Sequence, residues 1–314
     1  MTIFIQQVVN GLMLGGLYVM VAVAFTLIVG MLNFLNFTIP ALFMVAAVTT
    51  WATMAGGFGV GVDSVLVSLL GADNRWIAGA ILALMVVTLA SLVIERFTYR
   101  YTKTKYGDST EHALPLVSSL GFLIFFEHLV ISIWGSDVMT VASPFGNASF
   151  YIGAIQFSVP QTISLVLSLI IVCMLSYLLQ KTKLGRALRS IAERPDTALL
   201  MGIDVGKIVP IVYIIAGLLC AMAGILFTIN YTTVDAYVGD RVASIAIAGM
   251  VLGGLGNVWG AIFGGLLIGM LEVLSIYFFG ASAVKISIWG LLLLLLIVRP
   301  TGLFGHTSIG KGKF

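Results

Sequence analysis

The chain has 314 residues, of which 60% are hydrophobic and only 9% are charged. A soluble domain carries about 25% charged residues, so 16 basic and 13 acidic side chains cannot cover a hydrated surface. The composition equally excludes a disordered chain, which needs low hydrophobicity and high net charge. Two cysteines, Cys173 and Cys220, sit in apolar runs and exclude a disulfide scaffold or a cysteine-held zinc. What remains is an all-α, polytopic membrane protein.

An apolar helix needs about 20 residues to cross roughly 30 Å of hydrocarbon. Spans are predicted near 6–30, 39–56, 76–95, 113–134, 159–180, 209–230, 242–256, 259–280 and 284–299. Helices are expected throughout, because a helix satisfies its own backbone in lipid, and no strand pattern competes with them. The count is eight or nine: eight if 242–256 or the 31–56 stretch enters and leaves on one side. Residues 1–314 are read as a single transmembrane domain.

The first 62 residues carry no charge. Met1–Asn10 lacks the basic start and small-residue cleavage site of a signal peptide, so the first span is expected to be retained. Asn33 and Asn36 interrupt the run VGMLNFLNFTIPALFM, with Phe37, Thr38 and Pro40 close behind. Polar groups inside a span are costly and so mark candidate pathway positions. The same residues also suit a cap for the second helix.

Thirteen of the 16 basic residues fall in three regions. Arg96, Arg100, Lys103 and Lys105 share one loop; Lys181, Lys183, Arg186, Arg189, Arg194 and Lys207 share another; Arg299, Lys311 and Lys313 lie near the C-terminus. The positive-inside rule makes all three cytoplasmic, and nine crossings then put the N-terminus outside and the C-terminus inside. Arg75, Arg241 and Lys285 fall on the outer side.

The fourth span, SSLGFLIFFEHLVISIW, places Glu127 and His128 well inside the bilayer. Neighbours in a helix point to different faces, so these two are not expected to pair. Glu127 is expected to line a pathway, to meet another subunit, or to hydrogen-bond a neighbouring helix. Glu272 invites the same reading. His112, His128 and His306 are scattered, and no H-E-x-x-H or G-x-S-x-G motif occurs, so no catalysis and no metal site are expected.

The loop KTKLGRALRSIAERPDTALLMGIDVGK spans 181–207. Leu184, Ala187, Leu188 and Ile191 recur at helical spacing, with Arg186, Arg189, Glu193 and Arg194 on the other face. Pro195 opens a second short helix over 196–201, which Gly202 ends. A basic loop can simply lie against anionic headgroups. An ordered apolar face points further, to docking of a cytoplasmic protein partner.

Residues 249–269 contain eight glycines, in Gly-x-x-x-Gly pairs at 249/253, 256/260, 260/264 and 265/269. Such pairs let helix backbones approach in lipid. A break between Gly253 and Gly260 also fits, its freed backbone groups at Gly253, Gly254 and Gly256 lining the pathway. No P-loop occurs, so the chain is expected to bind no nucleotide cofactor, and any ATP dependence would come from a partner.

Three stretches carry a resemblance. LGRALRSIAERPDTALLMGID, AIAGMVLGGLGNVWGAIFGGLLIGMLEV and RPTGLFG resemble, in order and spacing over about 5–305, the branched-chain amino acid ABC transporter permease family, in particular its LivH-like subunit. The resemblance implies a permease without chemistry of its own in the bacterial inner membrane. Its implied partners are a homologous LivM-like permease subunit, two cytoplasmic ABC ATPase subunits and a periplasmic solute-binding protein, all within the lipid bilayer system and without nucleic acid. By analogy Gly185, Arg186, Arg189, Ala192, Glu193 and Gly202, with Leu184 and Leu188 of the apolar stripe, form the ATPase-coupling surface, and Asn257 and Trp259 mark a turn between spans. Family members commonly read Asn-Phe-Ala-His-Gly-Glu after the first span. Here Asn36 and Phe37 match, but Thr38, Ile39, Pro40 and Ala41 replace the last four. That departure keeps a urea or short-amide importer open as an alternative substrate class, and Glu127 with Glu272 keeps open a secondary transporter.

Overall fold

The computed structural model describes residues 2–32, 34–57, 74–101, 113–146, 148–193 and 195–305. Asn33, Arg194, His112 and His306 lie outside the described residues. In chain order come α1 (Thr2–Leu32), α2 (Thr38–Ala55), α3 (Arg75–Glu95), which runs on into a π-helical turn at Arg96–Arg100, and α4 (Ala113–Trp134). Short strands β1 (Met139–Thr140), β2 (Ser149–Ile152) and β3 (Ile155–Ser158) follow. Then come α5 (Val159–Lys181), α6 (Lys183–Glu193), α7 (Pro195–Leu200), α8 (Val205–Tyr231), β4 (Thr233–Val234), α9 (Val238–Gly253), α10 (Val258–Phe279) and α11 (Val284–Val298).

Among the described residues eight helices are long and apolar enough to cross a membrane, the last of them taking in the helical turn before α11 as Ala281–Val298. The remaining predicted span, 242–256, is α9, which has 16 residues. At 1.5 Å per residue it is about 24 Å long, shorter than the roughly 30 Å hydrocarbon core. Met85, Leu89, Ile170, Met174, Ile286 and Ile297 are exposed, as side chains facing lipid rather than water can be. Hydroxyls inside the spans are satisfied locally: Thr26 Oγ1 donates to Ala22 O at 2.8 Å and Thr50 Oγ1 to Ala46 O at 2.8 Å.

Packing divides the chain into two compact units. One holds residues 1–33, 149–203 and 244–314. Its centre is the antiparallel contact of α1 with α10, made backbone to backbone. A methyl group placed on Gly11 would lie 2.6 Å from Met270 Cα, and one on Gly15 2.9 Å from Leu266 Cα. Across the same seam, a methyl on Gly265 would lie 2.8 Å from Val19 Cα, and one on Gly269 would fall on Gly15. The glycine block therefore works as close packing, and it does so twice, because Gly253 meets Gly260 and Gly249 meets Gly264 where α9 folds back on α10.

The turn between these two helices is held by Asn257. Its Oδ1 accepts the amides of Trp259 at 3.1 Å and Gly260 at 3.4 Å, and its Nδ2 donates to Phe304 O at 2.8 Å. The C-terminal RPTGLFG run is stitched to the same turn through Leu303 N–H to Leu252 O, 2.9 Å, and Phe304 N–H to Gly253 O, 3.0 Å. Gly254, at φ +110°, has no room for a side chain against Gly305. Ala248, Leu252, Ile268, Ile288 and Leu292 form the buried cluster beside this turn.

The other unit holds residues 34–148 and 204–243. Here α2 is buried along nearly its whole length and packs against α3, α4 and α8. Gly224 of α8 approaches Phe43 O, and Thr228 Oγ1 donates to Ala47 O at 3.1 Å. Beyond the helix ends β1 pairs with β4, and Trp51 Nε1 donates to Thr140 O at 3.0 Å.

The strands depart from the sequence expectation. In the first unit β2 and β3 form a hairpin turning at Gly153, with φ +64°, and its Phe150 and Phe157 rings stack at 5.3 Å. Four-residue strands are too short for a period-two signal to stand out beside spans several times longer.

Candidate functional site

The segment predicted to couple to a partner folds as two short helices, as its periodicity implies. Leu188 and Ile191 are buried and Leu184 is half-buried, while Arg186, Arg189 and Glu193 are exposed. The apolar stripe is covered by the protein itself, since α6 packs against α5 and α1. Gly185 belongs to that junction: a methyl there would run into Leu179 O. Arg189 Nη1 donates to Leu179 O at 3.0 Å, closing the end of α5. Ala192 is half-buried. Gly202, at φ +79°, ends α7, with its N–H on Leu199 O at 3.0 Å and Ile203 N–H on Ala198 O at 3.0 Å. Farther on, Lys207 lies 3.1 Å from Asp204 and holds that carboxyl below the usual carboxylate range.

Periodicity missed the surface that is left open. Leu199, Leu200 and Met201 are 52%, 88% and 78% exposed, three consecutive large apolar side chains at the tip of a basic loop. The signal was present as the run ALLMG, but a six-residue helix is too short to read as a stripe.

Asn36 sits at the entry to α2 and is fully buried. Its Oδ1 accepts the amide of Thr38 at 2.9 Å and the Thr38 hydroxyl at 2.6 Å, and its Nδ2 donates to Tyr213 OH at 3.1 Å. Phe37 is half-buried, with its N–H on Ser119 Oγ at 3.1 Å. Asn36 thus fastens the start of α2 from the position before its N-cap residue, Phe37. Replacing Asn36 with alanine removes the acceptor for Thr38 and strands the buried Tyr213 hydroxyl. We expect a loss of about 1–3 kcal/mol, read as a lower thermal midpoint in detergent micelles. Asn36→Asp, which keeps the acceptor, should fall between.

Glu127 is 6% exposed and lies on α4 eight residues beyond Ser119. The carboxyl of Asp240, in the first turn of α9, faces it. His128 points to the exposed side, with Nδ1 2.9 Å from Ile124 O, so the two neighbours do not pair. Glu272 is engaged elsewhere, its Oε2 accepting from Tyr18 OH at 2.6 Å. Asn36, Phe37 and Glu127 therefore belong to one unit, whereas Gly253, Gly254 and Gly256 belong to the other. Gly253 and Gly254 are buried against backbone, and Gly256, itself exposed, approaches Gly30. Among the described residues no group of three His, Cys, Asp or Glu could hold a metal ion.

A family model described as "Branched-chain amino acid transport system / permease component" matches residues 7–298. The chain belongs to this permease family. Among its relatives, the LivH permease protein of the high-affinity branched-chain amino acid transport system of Salmonella typhimurium is 27% identical over 98% of this chain and 97% of its own. The BraD permease protein of the corresponding Pseudomonas aeruginosa system is 28% identical over 98% of each chain. The fructose import permease protein FrcC of Rhizobium meliloti is 26% identical over 60% of each chain.

In this permease the stretch from Thr38 to Ala41 is interior. Thr38, Ile39 and Ala41 are fully buried. The Thr38 hydroxyl donates to Asn36 Oδ1. Pro40 falls in the first turn of α2, where its missing N–H would have no intrahelical acceptor.

Proposed function

We propose that this chain is the membrane-spanning permease subunit of an ABC importer carrying branched-chain or similar hydrophobic amino acids, driven by ATP hydrolysed on partner subunits. The observation that carries the reading is the 181–207 segment: a short helix locked to the end of a span, ending in an exposed apolar tip among basic residues. A helix fixed at Gly185 and Arg189 passes a push at its tip to α5 and α1, and such a part is needed only if something pushes. The relatives LivH and BraD, which align over nearly their full length, support the substrate class.

In this reading the three basic regions are cytoplasmic, so α1 enters from outside, the C-terminus lies inside the bacterial inner membrane, and α9 with the link before it completes a ninth passage. The partners are a homologous permease subunit of LivM-like type, two ABC ATPases docked at Leu199–Met201 with Arg186 and Glu193 around them, and an external solute-binding protein. Alternating access follows from tilting spans rather than from a fixed charged cage.

The test is reconstitution of the complete transporter with its own binding protein. Co-purification of an ATPase and ATP-dependent leucine uptake are expected. An isolated permease that moves solute without any ATPase would overturn the reading in favour of a secondary transporter, and uptake of a short amide in place of leucine would overturn the substrate class alone.

A further inference from the structure

Glu127 is seven residues from the Trp134 end of α4, about 10 Å along the helix at 1.5 Å per residue. Asp240 meets it there, close enough for the two carboxyls to share a hydrogen bond. The first turn of α9 therefore begins within the depth of the span. It is wedged in place, since a methyl on Gly239 would lie 2.5 Å from Pro40 O.

The two carboxyls differ in surroundings. Glu127 is more than nine-tenths buried, and its Oε1 is sealed from solvent with no hydrogen-bond partner among the described residues. Asp240 and Arg241 are exposed. Charged groups at such depth are costly against hydrocarbon, which argues for an aqueous opening at this end of α9. Arg241 does not complete the pair, because it lies 2.7 Å from Asp235. A short helix starting inside the membrane beside an irregular link is how many transporters build a substrate site. What the buried oxygen lacks is a donor, and an ammonium group brings three donors and no acceptor.

We propose that Glu127 and Asp240 form a way-station for the ammonium group of the amino acid crossing the permease. One N–H of the substrate reaches Oε1 of Glu127 and another reaches the carboxylate of Asp240, while the aliphatic side chain needs no dedicated pocket. This deepens the proposed function and rests on it: a neutral amide or a sugar could donate a hydrogen bond to the pair but would lack the charge that strengthens it.

The experiment is leucine uptake and ATP hydrolysis measured together, in proteoliposomes holding the complete transporter with its binding protein. Losing one charge-assisted hydrogen bond corresponds to about a tenfold effect. Asp240→Asn and Glu127→Gln should each lower the leucine carried per ATP hydrolysed by about that factor, and Asp240→Glu should restore it. Because Asp240 is exposed, its exchange tests the site even where Glu127→Gln fails to fold. An unchanged leucine-to-ATP ratio in Asp240→Asn overturns the proposal, and so does failure of that variant to assemble, which would make the carboxyl structural. A wild-type transporter that hydrolyses ATP but carries no leucine removes the proposed function instead.

Discussion

Gly269→Ala is expected to cost this permease about 3 kcal/mol or more, although it adds one methyl group to a helix in which alanine is the better helix former. The added carbon would fall on the Cα and N of Gly15 and lie 2.7 Å from Gly11 O. Backbone atoms of a second helix cannot rotate away as a side chain can, so α1 and α10 must separate along the seam. Separation opens gaps at Gly11, Gly15 and Gly265 together, because dispersion contacts fall off steeply with distance. Gly121→Ala in α4 is the control, since nothing lies within 4 Å of the added methyl; it should leave stability unchanged or raise it by up to about 1 kcal/mol. The measurement is the thermal midpoint and monodisperse yield in detergent. Equal behaviour of the two variants would show that the seam tolerates a methyl and that the glycine spacing has another cause.

That seam explains why much of this fold was legible. Length and hydropathy locate the spans because the bilayer sets a minimum helix length, and Gly-x-x-x-Gly spacing locates tight approach because only glycine permits it. Neither signal names the opposing helix. Gly265 and Gly269 face α1, while Gly260 and Gly264 face α9, and nothing local distinguishes the two pairs. Glu127 stood out as a carboxyl in an apolar run, but Asp240 did not. It is 113 positions away, in a segment whose composition looks like an ordinary helix start, and only the fold brings them together. The stripe on α6 has a similar history. A period of 3.6 says that Leu184, Leu188 and Ile191 need covering, not whether a partner or the chain's own α5 and α1 will do it.

The distinction decides where a coupling mutation should act. Leu188 is 6% exposed and Leu200 is 88% exposed, so the same leucine-to-aspartate exchange should have opposite consequences. Leu188→Asp buries a charge against α5 and α1 and should lose folded protein. Leu200→Asp, alone or with Met201→Asp, adds charge where side chains are already exposed and should leave the permease folded, within about 0.5 kcal/mol of the parent. Its effect belongs to the partner: an apolar anchor removed from a docking surface costs about 2 kcal/mol or more. That loss corresponds to a fall of over about tenfold in ATPase affinity. ATP-driven uptake should drop by a similar factor at limiting ATPase. Pull-down of the ATPase by each folded variant, read beside uptake, separates the cases. If Leu200→Asp still retains the ATPase and transports normally, the tip rests against lipid and the push enters through Arg186 and Glu193. If it folds but releases the ATPase, then Leu199–Met201 is the contact, and Gly185 with Arg189 is the joint through which that contact moves α5.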